Sequence, residues 1–124
     1  MSVILDTSVV IDVLRGSAAA VTYVLGLEEA PTCSEVTRTE VLRGARSNER
    51  TRTERLFSTL RWCGVDEQIA RRAGEIGRRW RRNHQGIATA NLIIASTAVE
   101  LELAVATLNT KRFPMFKGLR PPYA

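Results

Sequence analysis

Ser2-Val3-Ile4-Leu5-Asp6-Thr7-Ser8 is the stretch that decides the fold. Val3, Ile4 and Leu5 form a short apolar run that stops at Asp6, and a helical pattern follows at once from Thr7 to Leu14, closed by Gly16. A short apolar run bounded by polar residues suits a strand buried on both faces, as in a parallel sheet. A carboxylate at the C-terminal end of such a strand points into the crevice where open α/β sheets bind ligands. Asp6 is therefore the first candidate site residue.

The rest of the chain alternates in the same way. Ser2 to Asp6 is the first strand, and Ser17 starts a second helix running to about Glu29. Pro31 opens strand two, Thr32 to Glu35, and Val36 to Arg43 forms a helix ended by Gly44. Ser47 to Leu60 is polar and arginine-rich at first, then apolar, which predicts a loop and a helix. Trp62 to Val65 is a short strand, and Asp66 caps a helix to Arg82 with one buried face made by Ile69, Ala73, Ile76 and Trp80. After a loop, Asn83 to Gly86, comes a nearly all-apolar helix from Ala88 to Val99 that should be central, then a last strand, Leu103 to Thr107. Strands separated by helices imply a parallel sheet with helices on both faces.

Glu40 supplies a second carboxylate, on the helix after strand two. Two acids brought together at one sheet edge make a hard-oxygen pocket suited to Mg²⁺ or Mn²⁺. Cys33 and Cys63 have no neighbouring Cys or His, so they make no zinc site and are expected as reduced thiols on buried strands. His84, the only histidine, sits in a polar loop and is left out of the chemistry.

At 124 residues, 44% of them hydrophobic, the chain is expected to be one domain, residues 1–124. The opening apolar run is far too short for a signal peptide, and no stretch approaches the ~18 apolar residues of a membrane span. A cytoplasmic protein with no membrane association is expected. Eighteen Lys and Arg against thirteen Asp and Glu give a charge of +5, and sixteen of the basic residues are arginine. Arginine holds phosphate bidentately and stacks on bases, which favours a nucleic-acid partner. A GC-rich genome produces the same bias with no binding role. No helix-turn-helix pattern is present, which disfavours a DNA-binding regulator.

Four motifs in order then carry a family resemblance over almost the full length. They are Leu5-Asp6-Thr7-Ser8, Thr39-Glu40-Val41-Leu42-Arg43-Gly44, Ala90-Asn91-Leu92-Ile93-Ile94-Ala95 and Ala106-Thr107-Leu108-Asn109-Thr110-Lys111-Arg112-Phe113. With these the chain resembles PIN-domain ribonucleases, more narrowly the VapC toxins of bacterial toxin–antitoxin pairs. The resemblance implies a three-layer α/β/α sandwich around a parallel sheet and a Mg²⁺- or Mn²⁺-dependent endoribonuclease. It also implies a homodimer neutralised by a VapB-type antitoxin. Carried over residue by residue, Asp6 and Glu40 match the first two metal-site acids. Asn91 stands where the family places a third, aspartate, and Asn109 takes a fourth, less strict position.

An asparagine offers a carbonyl oxygen but no charge. Metal affinity and catalysis should both fall, so Asn91 implies an inactive or weakened form, either natural or from a deliberate Asp→Asn change. The intact motif around it favours the second origin. Asn91 near a helix start can instead be a simple cap, as can Asp6 before Thr7; Glu40 can be a solvated helix residue. Thr7, Ser8 and Thr107 are candidates for orienting the carboxylates. Arg78, Arg79 and Arg82 are candidates for RNA contact, against the default of a solvated helix face. Asp12 is expected on a charged helix face near Arg15, and Trp80 in the core or a dimer interface. The alternative to an enzyme is a non-catalytic PIN module that binds RNA or an antitoxin.

Overall fold

A computed structural model describes residues 2–81 and 86–124. Four short strands, β1 (Val3–Leu5), β2 (Thr32–Ser34), β3 (Arg61–Cys63) and β4 (Ala104–Ala106), form one parallel sheet in the order β3-β2-β1-β4. Among the described residues six helices connect and cover them: α1 (Thr7–Leu14), α2 (Ala18–Leu25), α3 (Glu35–Gly44), α4 (Arg50–Phe57), α5 (Glu67–Arg79) and α6 (Thr89–Leu101). The architecture is the expected three-layer α/β/α sandwich.

Side chains alternate across the strands and so feed two separate cores. Leu5, Cys33 and Ala106 point to one face, where they meet Val9 and Val10 of α1, Val41 of α3 and Phe57 of α4. Ile4 and Val105 point to the other, against Ile94, Ala95 and Ala98 of α6 and Phe113 of the C-terminal segment. Ile94 and Phe113 are both fully buried, and each such side chain contributes roughly 1.5–3 kcal/mol. The apolar character of α6 on nearly every side follows from its position between the sheet and α5. Ser96 Oγ ties the two helices by donating to the Ile69 carbonyl at 2.7 Å. Gly77 lets them approach, since a Cβ there would lie 2.9 Å from Leu92 Cδ1.

Several boundaries differ from the sequence expectation, each for a local reason. Ser34 caps α3, its hydroxyl accepting from the Val36 N–H at 3.2 Å, so Glu35 begins a helix and does not end β2. Ser17 is the N-cap of α2, and the helix stops at Leu25, where Gly26 takes the C-cap position, short of Glu29. Ser47–Glu49 is a separate 3₁₀ turn before α4. Asp66 caps α5 as expected, through the Ile69 N–H at 2.8 Å, and the helix ends at Arg79. Arg82, His84 and most of the expected loop lie outside the described residues. Cys33 is buried as expected, whereas Cys63, on the edge strand, is only half-buried; both are free thiols. Among the described residues no single helix is long and apolar enough to cross a membrane.

Topology places the site. The chain steps from β1 outward to β2 and β3, then crosses back through α5 and α6 to lay β4 on the other side of β1. The order therefore reverses at β1, and the crevice above the C-terminal ends of β1 and β4 is the switch point where such sheets bind ligands.

Candidate active site

Asp6 and Thr107 are the residues that follow β1 and β4, so they meet at that switch point. Val3, Ile4 and Leu5 pair with Ala104, Val105 and Ala106, and the Asp6 N–H extends the ladder to the Ala106 carbonyl at 2.9 Å. The next pair is made by side chains: Thr107 Oγ1 donates to Asp6 Oδ2 at 2.7 Å. Ser8 Oγ donates to the same oxygen at 2.8 Å, and the Thr7 N–H donates to Oδ1 at 2.8 Å. Asp6 is 4% exposed, so these three bonds hold a buried carboxylate in one orientation. A carboxylate has about four lone-pair sites, which leaves one for a cation. Asp6 thus caps α1 and occupies the crevice at once; the two readings do not compete.

Glu40 joins the same network from α3. Thr7 Oγ1 donates to Glu40 Oε1 at 2.6 Å and lies 3.0 Å from Thr37 Oγ1. A hydroxyl has a single proton. Thr7 gives its proton to Glu40, so Thr37 must be the donor in the second contact. Thr37 is fully buried and sits three residues before Glu40, on the same face of α3. Nothing in the sequence analysis singled it out; a buried threonine one turn before an acid was the available signal.

Asn91 is brought to the same end of the sheet by helix direction. α6 leads through Glu102 and Leu103 into the start of β4, so its last turn lies at the N-terminal edge of the sheet. Thirteen residues span about 20 Å, and a three-residue strand about 10 Å. Its first turn, with Asn91, therefore reaches the C-terminal edge. Asn91 is not the helix cap: Ala88 holds that position and makes no side-chain hydrogen bond. Asn91 lines a cleft of about 570 Å³ with Trp80, Lys111, Arg112 and Pro114. Asp6 and Glu40 do not line that cleft, and Glu40 instead borders a smaller one beside Ile11, Leu14 and Val41.

The remaining candidates fall at varying distances from this centre. Asn109 is exposed; its backbone N–H donates to Thr107 Oγ1 at 3.0 Å, so it supports Asp6 only through that threonine. Arg78 and Arg79 are exposed in the last turn of α5. Trp80, expected in the core or a dimer interface, is half-buried in the cleft wall. Asp12 accepts from the Tyr123 hydroxyl at 2.8 Å, which pins the C-terminal tail to α1.

The donor set is hard oxygen throughout, which fits a divalent cation of the Mg²⁺ or Mn²⁺ kind. Among the described residues, no group of three His, Cys, Asp or Glu side chains could hold a metal ion. Asp6 and Glu40, bridged by Thr7, thus supply two carboxylates of the right chemistry, while Asn91 lines a separate cleft.

Residues 3–117 match the family described as PIN domain. Ribonuclease VapC19 of Mycobacterium tuberculosis is 39% identical over 123 residues, covering 97% of this chain and 98% of that protein. Ribonuclease VapC10 of the same organism is 40% identical over 124 residues, covering 98% and 93%. In three dimensions, a toxin–antitoxin complex from Klebsiella pneumoniae contains a chain that superposes with a TM-score of 0.85 at 27% identity, with 98% of each chain covered. The match in sequence and the shared fold agree, and the chain belongs to the PIN-domain family, among the VapC ribonucleases.

Proposed function

We propose that this chain is the toxin of a toxin–antitoxin pair, an endoribonuclease that depends on a divalent cation and is restrained by a VapB-type antitoxin. The observation that carries this is the hydrogen-bonded unit of Asp6, Thr7 and Glu40 at the switch point, joined to β4 through Thr107. The names of the relatives and the toxin–antitoxin complex support the same reading. Asp6 and Glu40 would hold Mg²⁺ or Mn²⁺, with Asn91 as an uncharged oxygen donor beside them. When bound, such a cation polarises the scissile phosphate, acidifies its water and stabilises the leaving oxygen. Thr7, Ser8 and Thr107 keep the Asp6 carboxylate aimed, and Thr7 and Thr37 keep Glu40 aimed. The chain acts as a homodimer in this reading. The cleft of Ile11, Leu14 and Val41 that reaches Glu40, with Arg15 and Glu49 at its rim, suits an antitoxin segment of mixed apolar and charged character.

A second reading has a specific observation behind it: with only two acids the protein is a non-catalytic module that binds RNA or an antitoxin. Restoring the charge separates the two. Cleavage of total cellular RNA is measured for the chain as it stands and for Asn91→Asp, with and without EDTA. Loss of one electrostatic contact of this kind lowers a rate by ~10²–10³. The substituted protein should cleave by that factor faster, and EDTA should abolish the gain. No cleavage by Asn91→Asp would leave the binding module.

A further inference from the structure

We propose that Tyr123 is a positioning residue for Asp6: its hydrogen bond to Asp12 fixes α1 against β4, so that the donors on both elements stay aimed at the acid. The proposal deepens the ribonuclease reading and rests on it.

Two staples join α1 to the chain that follows β4. Thr107 Oγ1 donates to Asp6 Oδ2 at 2.7 Å, and the Tyr123 hydroxyl donates to Asp12 Oδ2 at 2.8 Å. The partners are 101 and 111 positions apart, and among the described residues no other side-chain hydrogen bond spans more than 33. Asp6 caps α1 and Asp12 lies on it six residues later, about 9 Å along the axis. A helix tied at one end can pivot about that tie, and a second tie 9 Å away stops the pivot. The first turn of α1 carries the Thr7 N–H and the Ser8 hydroxyl that complete the hold on Asp6, and the Thr7 hydroxyl that aims Glu40. A pivot of α1 would therefore misalign both carboxylates.

The course of the C-terminal segment gives the second staple its leverage. Phe113 is fully buried on the α6 face of the sheet beside Ile4 and Val105, whereas Tyr123 packs against the core on the α1 face. β4 is the edge strand, so the chain between them passes round that edge. Pro114, Pro121 and Pro122 lack an N–H, and the segment grips the sheet from both faces without adding a strand to it. Its far end is held by the Tyr123 ring, 6.0 Å from that of Tyr23, and by the hydroxyl on Asp12. Asp12, expected beside Arg15, forms no ion pair among the described residues; its partner is the phenol. Burial first, and the bond to Asp12 second, push the Tyr123 hydroxyl above its ordinary value, so it remains a donor at neutral pH. A hydroxyl on a carboxylate makes a bond roughly twice as strong as a neutral pair.

The test compares Tyr123→Phe, which keeps the ring and deletes the hydroxyl, with Asp12→Asn, which keeps an acceptor oxygen, and Asp12→Ala, which does not. Amide exchange is followed by NMR in the metal-free protein at Asp6, Val9 and Asn109, whose N–H groups bond Ala106, Asp6 and Thr107. Tyr123→Phe and Asp12→Ala should each speed exchange there by about ten-fold relative to the amides of α5, the worth of one such bond. Asp12→Asn should stay close to the parent. Tyr123→Phe combined with Asp12→Ala should exchange no faster than either alone, because both remove the same bond. In the Asn91→Asp background, isothermal titration should show Mn²⁺ bound about ten-fold more weakly after Tyr123→Phe, the lower end of what groups orienting metal ligands contribute.

Unchanged exchange at Asp6 and Asn109 overturns the proposal. So does an equal rise throughout α5, which would make the bond a support of the whole fold and not of the site, and so do additive effects in the double variant. If Asn91→Asp binds Mn²⁺ and cleaves RNA while Tyr123→Phe leaves that affinity unchanged, the positioning role alone fails. If Asn91→Asp binds no Mn²⁺, the ribonuclease reading fails, and the exchange rates still decide whether Tyr123 fixes α1 against β4.

Discussion

The Thr107 hydroxyl donates to Oδ2 of Asp6 across 2.7 Å, linking two residues 101 positions apart at the crossing point of the sheet. The same hydroxyl accepts the Asn109 N–H at 3.0 Å, so one buried atom holds both the acid and the turn after β4. Thr107→Val removes that atom and leaves an N–H without its acceptor and a carboxylate short of one donor. Leaving a buried polar group unpaired costs ~1–3 kcal/mol. The loss should be seen as a lower urea midpoint, and Thr107→Ser, which keeps the hydroxyl, should lose less. Equal losses in the two variants would show that packing, not the hydrogen bond, matters here.

Glu40 is aimed through two threonines in series, and their substitutions should rank accordingly. Thr7→Val deletes the direct donor to Glu40 Oε1, whereas Thr37→Val removes only the bond that orients Thr7. Partners that orient metal ligands are commonly worth 10–100-fold in metal affinity or activity. In the Asn91→Asp background, Thr7→Val should lower cleavage by about that factor and Thr37→Val by less. Isothermal titration with Mn²⁺ should show the same order. A larger effect from Thr37→Val would contradict the direction assigned to the chain of donors.

Two glycines in α5 separate propensity from packing. A Cβ at Gly74 meets nothing within 4 Å, while one at Gly77 would lie 2.9 Å from Leu92 Cδ1. Replacing an exposed helical glycine by alanine gains about 1 kcal/mol. Gly74→Ala should show that gain in thermal unfolding. Gly77→Ala should show clearly less, because Leu92 has to shift, and Leu92 adjoins Asn91. Equal stabilisation by both would mean that Leu92 moves freely.

Burial pushes the Cys33 thiol from its usual value of 9.0 up to about 12, against a smaller lowering from Arg38. The native state then holds the proton above the pH at which the unfolded chain releases it. The stability this contributes is complete below about pH 9 and is lost progressively up to about pH 12, at about 1.4 kcal/mol per pH unit. Cys33→Ala should flatten the fall of the urea midpoint above pH 9. At pH 8, iodoacetamide should label the half-buried Cys63 first and reach Cys33 only on unfolding. Rapid labelling of Cys33 in the folded protein would contradict its burial.

The local elements were written in the sequence because their causes are local. An apolar triplet ending at Asp6, caps at Ser17 and Asp66, and the 3.6-residue stripe of α5 act within a few residues of themselves. Alternation of these elements then implied the parallel sandwich, and the motif order carried Asp6, Glu40 and Asn91 as a set. Boundaries such as Ser34–Glu35 were less legible, because a cap hydroxyl there outweighed the strand pattern. The strand order β3-β2-β1-β4 depends on where a crossover lands, so only the tertiary structure places Thr107 beside Asp6. Thr37 and Trp80 were hidden for the same reason. Thr37 was not singled out at all and apolar spacing put Trp80 in the core or an interface; only the fold shows that Thr37 buttresses Thr7 while Trp80 lines a cationic cleft. A sequence carries the energies of neighbours along the chain, whereas a site is made of neighbours in space, and the crossover through α5 and α6 is what turns one into the other.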